Sequence, residues 1–285
     1  MMIILEKTPE LITFDKFFSK NKTKIEYKEK FFISEVAGKD SIAALIQGVS
    51  KNDIRNLLGI GIFHRSFFGN ILEPIEHFES VKNLILQEKI NSTDFLYLDV
   101  SNLFDHLIIR NMAIIQKYFG YYSPCPPCHL FFHMMRIPIA DYFGITKIIS
   151  GERDFHGDRK KLNQMPDVLS LFKELIKEEG IELIQPIRKI RNDDEIFEIL
   201  GSSWKSAKPF KCSFSKNYYD ETGEIPFDIQ KILNSLRDFY FPLFSSVVEF
   251  LKINHKEPEE NWLNEKIKQI VFLLEKKNKE LNSNK

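Results

Sequence analysis

The feature that most restricts this chain is an alternation of short apolar runs with longer amphipathic stretches. FFISEV (31–36), LLGIGIF (57–63), FLYLDV (95–100), ITKIIS (145–150) and IELIQPI (181–187) are strand-length, and most are rich in β-branched and aromatic residues. Between them lie a stretch from Asp40, IEHFESVKNLILQEK, LFDHLIIRNMAIIQKYFG closed by Gly120, HLFFHMMRIPIADYFG closed by Gly144, and DVLSLFKELIKEEG. These carry apolar residues at helical spacing. Pro138 predicts a kink or a split in the fourth of them. Strand-helix alternation of this kind predicts an α/β fold, a mainly parallel sheet with helices on both faces. Beyond residue 225 the pattern is helical throughout, a C-terminal helical extension over 225–285. The first thirty residues are mixed, which divides the chain into a segment 1–30, a main domain 31–224 and the extension.

Lys plus Arg and Asp plus Glu both number 40, so the formal net charge is zero. No global field attracts nucleic acid, and any such contact needs a local basic patch. The start, MMIILEKTPE, lacks the parts of a signal peptide, and no apolar run reaches bilayer-spanning length. A cytoplasmic protein without membrane contact is expected. Three cysteines, two of them in CPPC, do not make a disulfide framework and point to metal or redox chemistry.

At VAGKDS (36–41) the first strand meets the first helix. In an open parallel sheet, ligands bind where strand carboxyl ends face helix amino ends. Ala37 and Gly38 let the backbone approach a ligand, and first-turn amides receive an anion. Lys39 adds a cation, Ser41 a hydroxyl, and Asp40 a carboxylate for the helix start or a metal. The plainer reading is a well-made turn with Gly38 for positive φ and Asp40 as N-cap. The glycine spacing excludes a Walker A loop.

Cys125 and Cys128 stand in SPCPPCHLFFHMMR, and Cys212 in KPFKCSFS. A CxxC turn lets two thiolates face one metal, and a remote third thiolate closes a three-cysteine site. Three thiolates suit a cubane cluster with one iron open, whereas zinc favours a fourth ligand, for which His129 is nearest. Alternatively, CPPC is a buried turn and Cys212 a lone core thiol.

VAGKDS resembles the SGGxDS signature of the PP-loop ATP pyrophosphatases. Gly38, Asp40 and Ser41 match it, Lys39 takes the variable position, and Val36 and Ala37 replace the leading Ser and Gly. The order of loop, CPPC, IELIQPIRKI, DDEIFEIL and KPFKC is similar to that of three-cysteine tRNA thiolation enzymes of the two-thiocytidine and two-thiouridine type. The resemblance covers 31–214. It implies that Ala37, Gly38, Lys39, Ser41 and Gly151 bind ATP with Mg2+, and that Asp40 and Lys39 serve adenylation. It also implies that Cys125, Cys128 and Cys212 hold a [4Fe-4S] cluster whose open iron carries sulfur from sulfide or a sulfur-donor protein. The first candidate acceptor is a tRNA base. After the fourth strand that family shows Gly-His-Asn and paired Asp, whereas this chain reads SGERDFHGDRKK, with Glu152 and Arg153 in place of His and Asn. Asp154 or Asp158 then stands on the Mg·ATP side, and the chain is a divergent branch. A small molecule or cofactor precursor is the alternative acceptor, and a metal-stabilised binding protein with a degenerate nucleotide pocket the third reading.

His129, His133 and Arg136 share one helix face, which either lines the site or meets solvent or a sheet edge. Arg153, His156, Arg159, Lys160 and Lys161 either grip phosphates or form a solvated charge run. Arg188, Lys189 and Arg191, with KSAKPFK, supply a local basic patch. Trp204 is expected in the core, and the last helix is a solvated face or a homodimer contact.

Overall fold

The computed structural model describes residues 10–21, 30–86, 90–156, 161–201, 204, 211–215, 221–222, 224–226 and 228–283. In chain order the elements are β1 (Leu11–Ile12), α1 (Phe14–Lys20), β2 (Phe31–Glu35), α2 (Lys39–Lys51), β3 (Asn56–Phe63), β4 (Phe67–Phe68) and α3 (Glu73–Leu86). Then come β5 (Ser92–Asp99), α4 (Ser101–Leu107), α5 (Met112–Phe119), α6 (Cys125–Phe143), β6 (Lys147–Ile149), α7 (Pro166–Glu178) and β7 (Glu182–Ile184). The chain ends with α8 (Asp193–Leu200), β8 (Lys211–Cys212), α9 (Ile229–Ser235), α10 (Phe241–Asn254) and α11 (Glu260–Ser283).

Six strands form one sheet in the order β1-β5-β3-β2-β6-β7, and every pairing in it is parallel. Side chains alternate between its faces because the strand period is two residues. Ile33, Leu58, Leu96, Leu98 and Ile148 enter a core shared with α1, the helices from α4 to α7, and α9, α10 and α11. Phe32, Leu57, Phe95, Tyr97 and Ile149 enter a second core under α2, α3 and α8. From β2 the chain moves to β3 on one side, while β6 lies on the other. The crevice at the carboxyl ends of β2 and β6 is therefore the topological switch point, where open α/β sheets bind ligands.

Four local differences from the sequence pattern have physical reasons. The helix expected over 103–120 divides into α4 and α5, because the buried Asn111 amide donates to the carbonyls of His106 (2.7 Å) and Leu107 (3.1 Å). Those bonds replace backbone partners and turn the chain through a 3-10 step at Ile109–Asn111. Pro138 does not split its helix: α6 runs unbroken through it, with Pro138 buried. CPPC is the first turn of α6 rather than a loop before it, since prolines fit where helix N–H groups lack partners. Within the first thirty residues, β1 adds an edge strand beside β5. Among the described residues, no helix is long and apolar enough to cross a membrane.

Candidate functional site

The loop after β2 is closed by its own groups. Ala37 N donates to Ser41 Oγ (2.8 Å), and Ser41 Oγ donates to the Gly38 carbonyl (2.7 Å). Val36, where the resembling family has Ser, is 1% exposed, and its side chain packs in the core under α2 and α3. Gly38 is the N-cap of α2 at φ −101°, a conformation open to any residue, and a Cβ built there meets nothing within 4 Å. Neither backbone nor packing demands glycine at 38. Gly151 is the opposite case: a Cβ there would lie 2.4 Å from Ser41 Cα, so the β6 end seats directly on the loop.

Charges surround this seat. Arg153, 1% exposed, places Nη2 3.1 Å from Asp40 and 2.7 Å from Asp193 of α8. Lys39 also pairs with Asp193 and lies over the Phe197 ring at 4.9 Å. Burial would raise the Asp193 carboxyl, but Lys39 and Arg153 outweigh it and bring it down to about 2. Asp154 is placed elsewhere: its fully buried carboxylate accepts from Arg188 Nε (2.9 Å) and Lys189 Nζ (2.6 Å), and it lines neither cavity of the site. Asp158, Arg159, Lys160 and most of KSAKPFK lie outside the described residues.

Cys125 and Cys128 fall on one face of the first turn of α6, three residues apart. Cys212 arrives on β8, which pairs antiparallel with β4 in a small second sheet. All three thiols line one cavity of about 340 Å³. Burial first, and then the neighbouring Cys212, pushes the Cys125 thiol up to about 12, and burial, Cys212 and Cys125 raise Cys128 well above its ordinary value. Three desolvated thiols that oppose one another's ionisation form a donor set that a cationic centre would relieve. Among the described residues, no three His, Cys, Asp or Glu side chains converge as a site for a single metal ion.

His64, one residue past β3, is fully buried, stacks on Phe104 (3.8 Å, 10°) and lies tilted against Phe67 (4.0 Å). Burial lowers its pKa to about 3, so the ring is neutral. Ser66 N donates to Nδ1 (3.3 Å), which leaves the ring proton on Nε2, 3.8 Å from Cys128 Sγ. Sequence reasoning missed His64, although its place at a strand's carboxyl end was a usable signal.

Of the shared helix face, His133 and Arg136 are turned inward, whereas His129 is part-exposed at the cavity. His133 and Arg136 are 1% and 2% exposed, and Glu152 from the β6 end bridges the two histidines. His129 Nδ1 lies 3.2 Å and His133 Nε2 3.1 Å from its carboxylate, which also accepts from Ser150 (3.1 Å) and Gln185 (2.9 Å). Burial would raise Glu152, but the two histidines hold it well below the carboxylate range. His129 Nε2 in turn takes the Asn163 amide at 2.8 Å. A second cavity, of about 250 Å³, lies over the loop and is lined by Gly38, Lys39, Asp40, Ser41 and Gly151. The two cavities share Glu35, Ala37, Gly38, His129 and Gln164, so the loop and the thiols lie on either side of a common set of residues. Arg191 lies over Phe155 at 5.0 Å, and Trp204 packs on His77 at 4.4 Å.

Among solved structures, the chain is similar to the U34-tRNA thiolase NcsA from Methanococcus maripaludis with its [4Fe-4S] cluster. The identity is 16%, over 92% of this chain and 80% of that one, with a TM-score of 0.38, too slight a likeness to carry an assignment. No family model matches the sequence. Among curated proteins, it is 34% identical over 271 residues to the uncharacterized protein MJ0009 of Methanocaldococcus jannaschii, a match spanning 90% of this chain and 95% of that protein. At that identity and coverage, the chain belongs to the family of MJ0009.

Proposed function

We propose that this protein is an ATP-dependent sulfurtransferase that activates an acceptor oxygen on the loop after β2 and replaces it with sulfur beside the three cysteines. The observation that carries the reading is the common wall of the two cavities, at Glu35, Ala37, Gly38, His129 and Gln164. A nucleotide over the loop and an acceptor in the thiol cavity would meet there.

The loop fits the pyrophosphate end of ATP. Space above Gly38 is open, and α2, 13 residues long, presents its amino end to it. The contact between Lys39 and Asp193 is partly exposed, so it can open toward phosphate at small cost. The acceptor oxygen attacks the α-phosphorus, pyrophosphate leaves, and the oxygen becomes part of an AMP leaving group. Sulfide then displaces AMP, giving a thiolated acceptor, AMP and pyrophosphate. His129, held by Glu152 on Nδ1 and by Asn163 on Nε2, stands at the seam and would move a proton between the two steps once substrate replaces the Asn163 contact. Cys125, Cys128 and Cys212, which line one cavity, would hold an iron–sulfur cluster. When bound, a cluster with an open iron supplies the sulfur. Resemblance makes a tRNA base the first candidate acceptor.

The test is anaerobic purification with iron, zinc and acid-labile sulfide analysis, followed by pyrophosphate release from ATP. Iron and sulfide near four per chain, lost in Cys125→Ala and Cys212→Ala, together with pyrophosphate release, are expected. Stoichiometric zinc, or cysteine variants with unchanged metal content, overturns the sulfur-transfer reading. It would favour a metal-stabilised binding protein instead.

A further inference from the structure

Among the described residues, Arg136 is a buried charge with few partners. Its side chain reaches from the middle of α6 into the wall of the thiol cavity, and the residue is 2% exposed. It has one side-chain hydrogen bond, from Nη1 to the Phe132 carbonyl at 3.1 Å, and its buried Nε has no partner. The carboxylates that act on it electrostatically are Glu35 and Glu152. Glu35 accepts from Gly151 N at 3.3 Å, and Glu152 is taken by two histidines, Ser150 and Gln185. Among the described residues, no carboxylate comes within ion-pair distance of Arg136. A guanidinium buried without a counter-ion is costly, and it is placed where a ligand can supply the missing charge.

Several other described basic residues near the site are engaged. Arg188 and Lys189 hold Asp154, Arg153 holds Asp40 and Asp193, and Lys39 holds Asp193. Among the described residues, Arg136 is thus a buried cation without an ion pair, and it lines a partly open, mostly apolar cavity rather than a surface that tracks a nucleic-acid backbone. Lys161 lines the same cavity.

We infer that the acceptor is a small molecule bearing an anionic oxygen group, a carboxylate or phosphate, which Arg136 holds beside the cysteines. The inference rests on the sulfur-transfer reading for the word acceptor. The anion site itself stands on geometry alone.

The probe is inorganic phosphate, added to the full chain in thermal melts with and without saturating ATP·Mg2+. At a hundredfold excess over its Kd, phosphate should raise the wild-type Tm by about 5 °C. Arg136→Met should lose that shift while melting no lower than wild type without phosphate, since it removes a buried unpaired charge. Arg136→Lys should keep a reduced shift, and the loop variant Lys39→Met a full one. No phosphate shift in wild type, or a shift retained by Arg136→Met and lost in Lys39→Met, overturns the proposal. A shift abolished by saturating ATP assigns Arg136 to the nucleotide's own phosphates and overturns the acceptor assignment. So does salt-sensitive binding of unfractionated tRNA that competes with phosphate. None of these readouts needs iron or pyrophosphate release, so this inference and the sulfur-transfer reading can fail separately.

Discussion

Gly38 and Gly151 face each other across the same loop, and the structure assigns them different reasons for being glycine. Adding a methyl group at Gly151 puts it 2.4 Å from Ser41 Cα and 2.5 Å from Ser41 N, both backbone atoms that cannot rotate away. Gly151→Ala should therefore cost about 1–3 kcal/mol as overpacking. That corresponds to a fall in Tm of roughly 3–10 °C. At Gly38 a methyl group meets nothing within 4 Å, and φ of −101° suits alanine. Alanine is a poorer N-cap, which costs a few tenths to about 1 kcal/mol, while its stiffer unfolded chain returns about 0.4–1 kcal/mol. The two effects nearly cancel, so Gly38→Ala should melt within about 2 °C of wild type. If the open space above Gly38 is for a phosphate chain approaching backbone amides, the same methyl group should weaken ATP·Mg2+ binding at least about tenfold, or ~1.4 kcal/mol. Calorimetric titration of ATP and a thermal melt on each variant give both numbers. A Gly38→Ala protein that binds ATP as wild type does would refute the close-approach argument. A Gly151→Ala protein with unchanged Tm would refute the seat of β6 on the loop.

Two further predictions concern charge. Glu257, half-buried with Oε1 lacking a partner, is pushed up to about 7 by burial, with Asp15 adding to it. The folded state then binds a proton that the unfolded state has released, so stability falls as pH rises from about 4.5 to 7 and is level above, by about 3 kcal/mol at most. Glu257→Gln should flatten that slope in urea melts and be the more stable protein at pH 8; a slope unchanged by the substitution would refute it. Glu152 is the reverse case, a carboxylate held low by its histidines, whose contribution is present above pH 4.5 and lost on acidification. Glu152→Gln should lose about 3 kcal/mol at pH 7, because it removes the buried charge and leaves one of the two imidazoles facing an amide N–H in place of its acceptor, and a loss below about 0.5 kcal/mol would show the bridge to be dispensable.

The sheet was legible because its signal is local. Each strand is announced by a few contiguous apolar residues, and the side-chain alternation that sorts Ile33 from Phe32 into opposite cores follows from the strand period. The loop at 36–41 and the CxxC pair were legible for the same reason, being short motifs in contiguous residues. What escaped was set by distant partners. The break at Asn111 depends on where one amide points, and β4 and β8, two residues each, depend on pairing Phe67 with Cys212 across the chain. Glu152 was visible only as a departure from a motif, since its meaning lies in His129 and His133, 19 or more residues away on another element.

That departure is the point on which the choice between enzyme and inert scaffold turns. In the resembling family the residues after this strand are His and Asn, and a chain that had merely shed nucleotide chemistry could fill those places with anything small. Here they hold two deeply buried charges, Glu152 and Arg153, and each makes specific contacts. Arg153 ties Asp40 of the loop to Asp193 of α8. Glu152 reaches the other way and fixes His129, whose ring borders both cavities. An imidazole is thus present at the seam, delivered by α6 instead of by the strand. Burying a carboxylate costs several kcal/mol unless it is fully bonded, and apolar residues of similar volume would have stabilised a scaffold at least as well. A fully bonded network of this kind, bordering both cavities, is the arrangement the proposed proton transfer would use, and Glu152→Gln tests it.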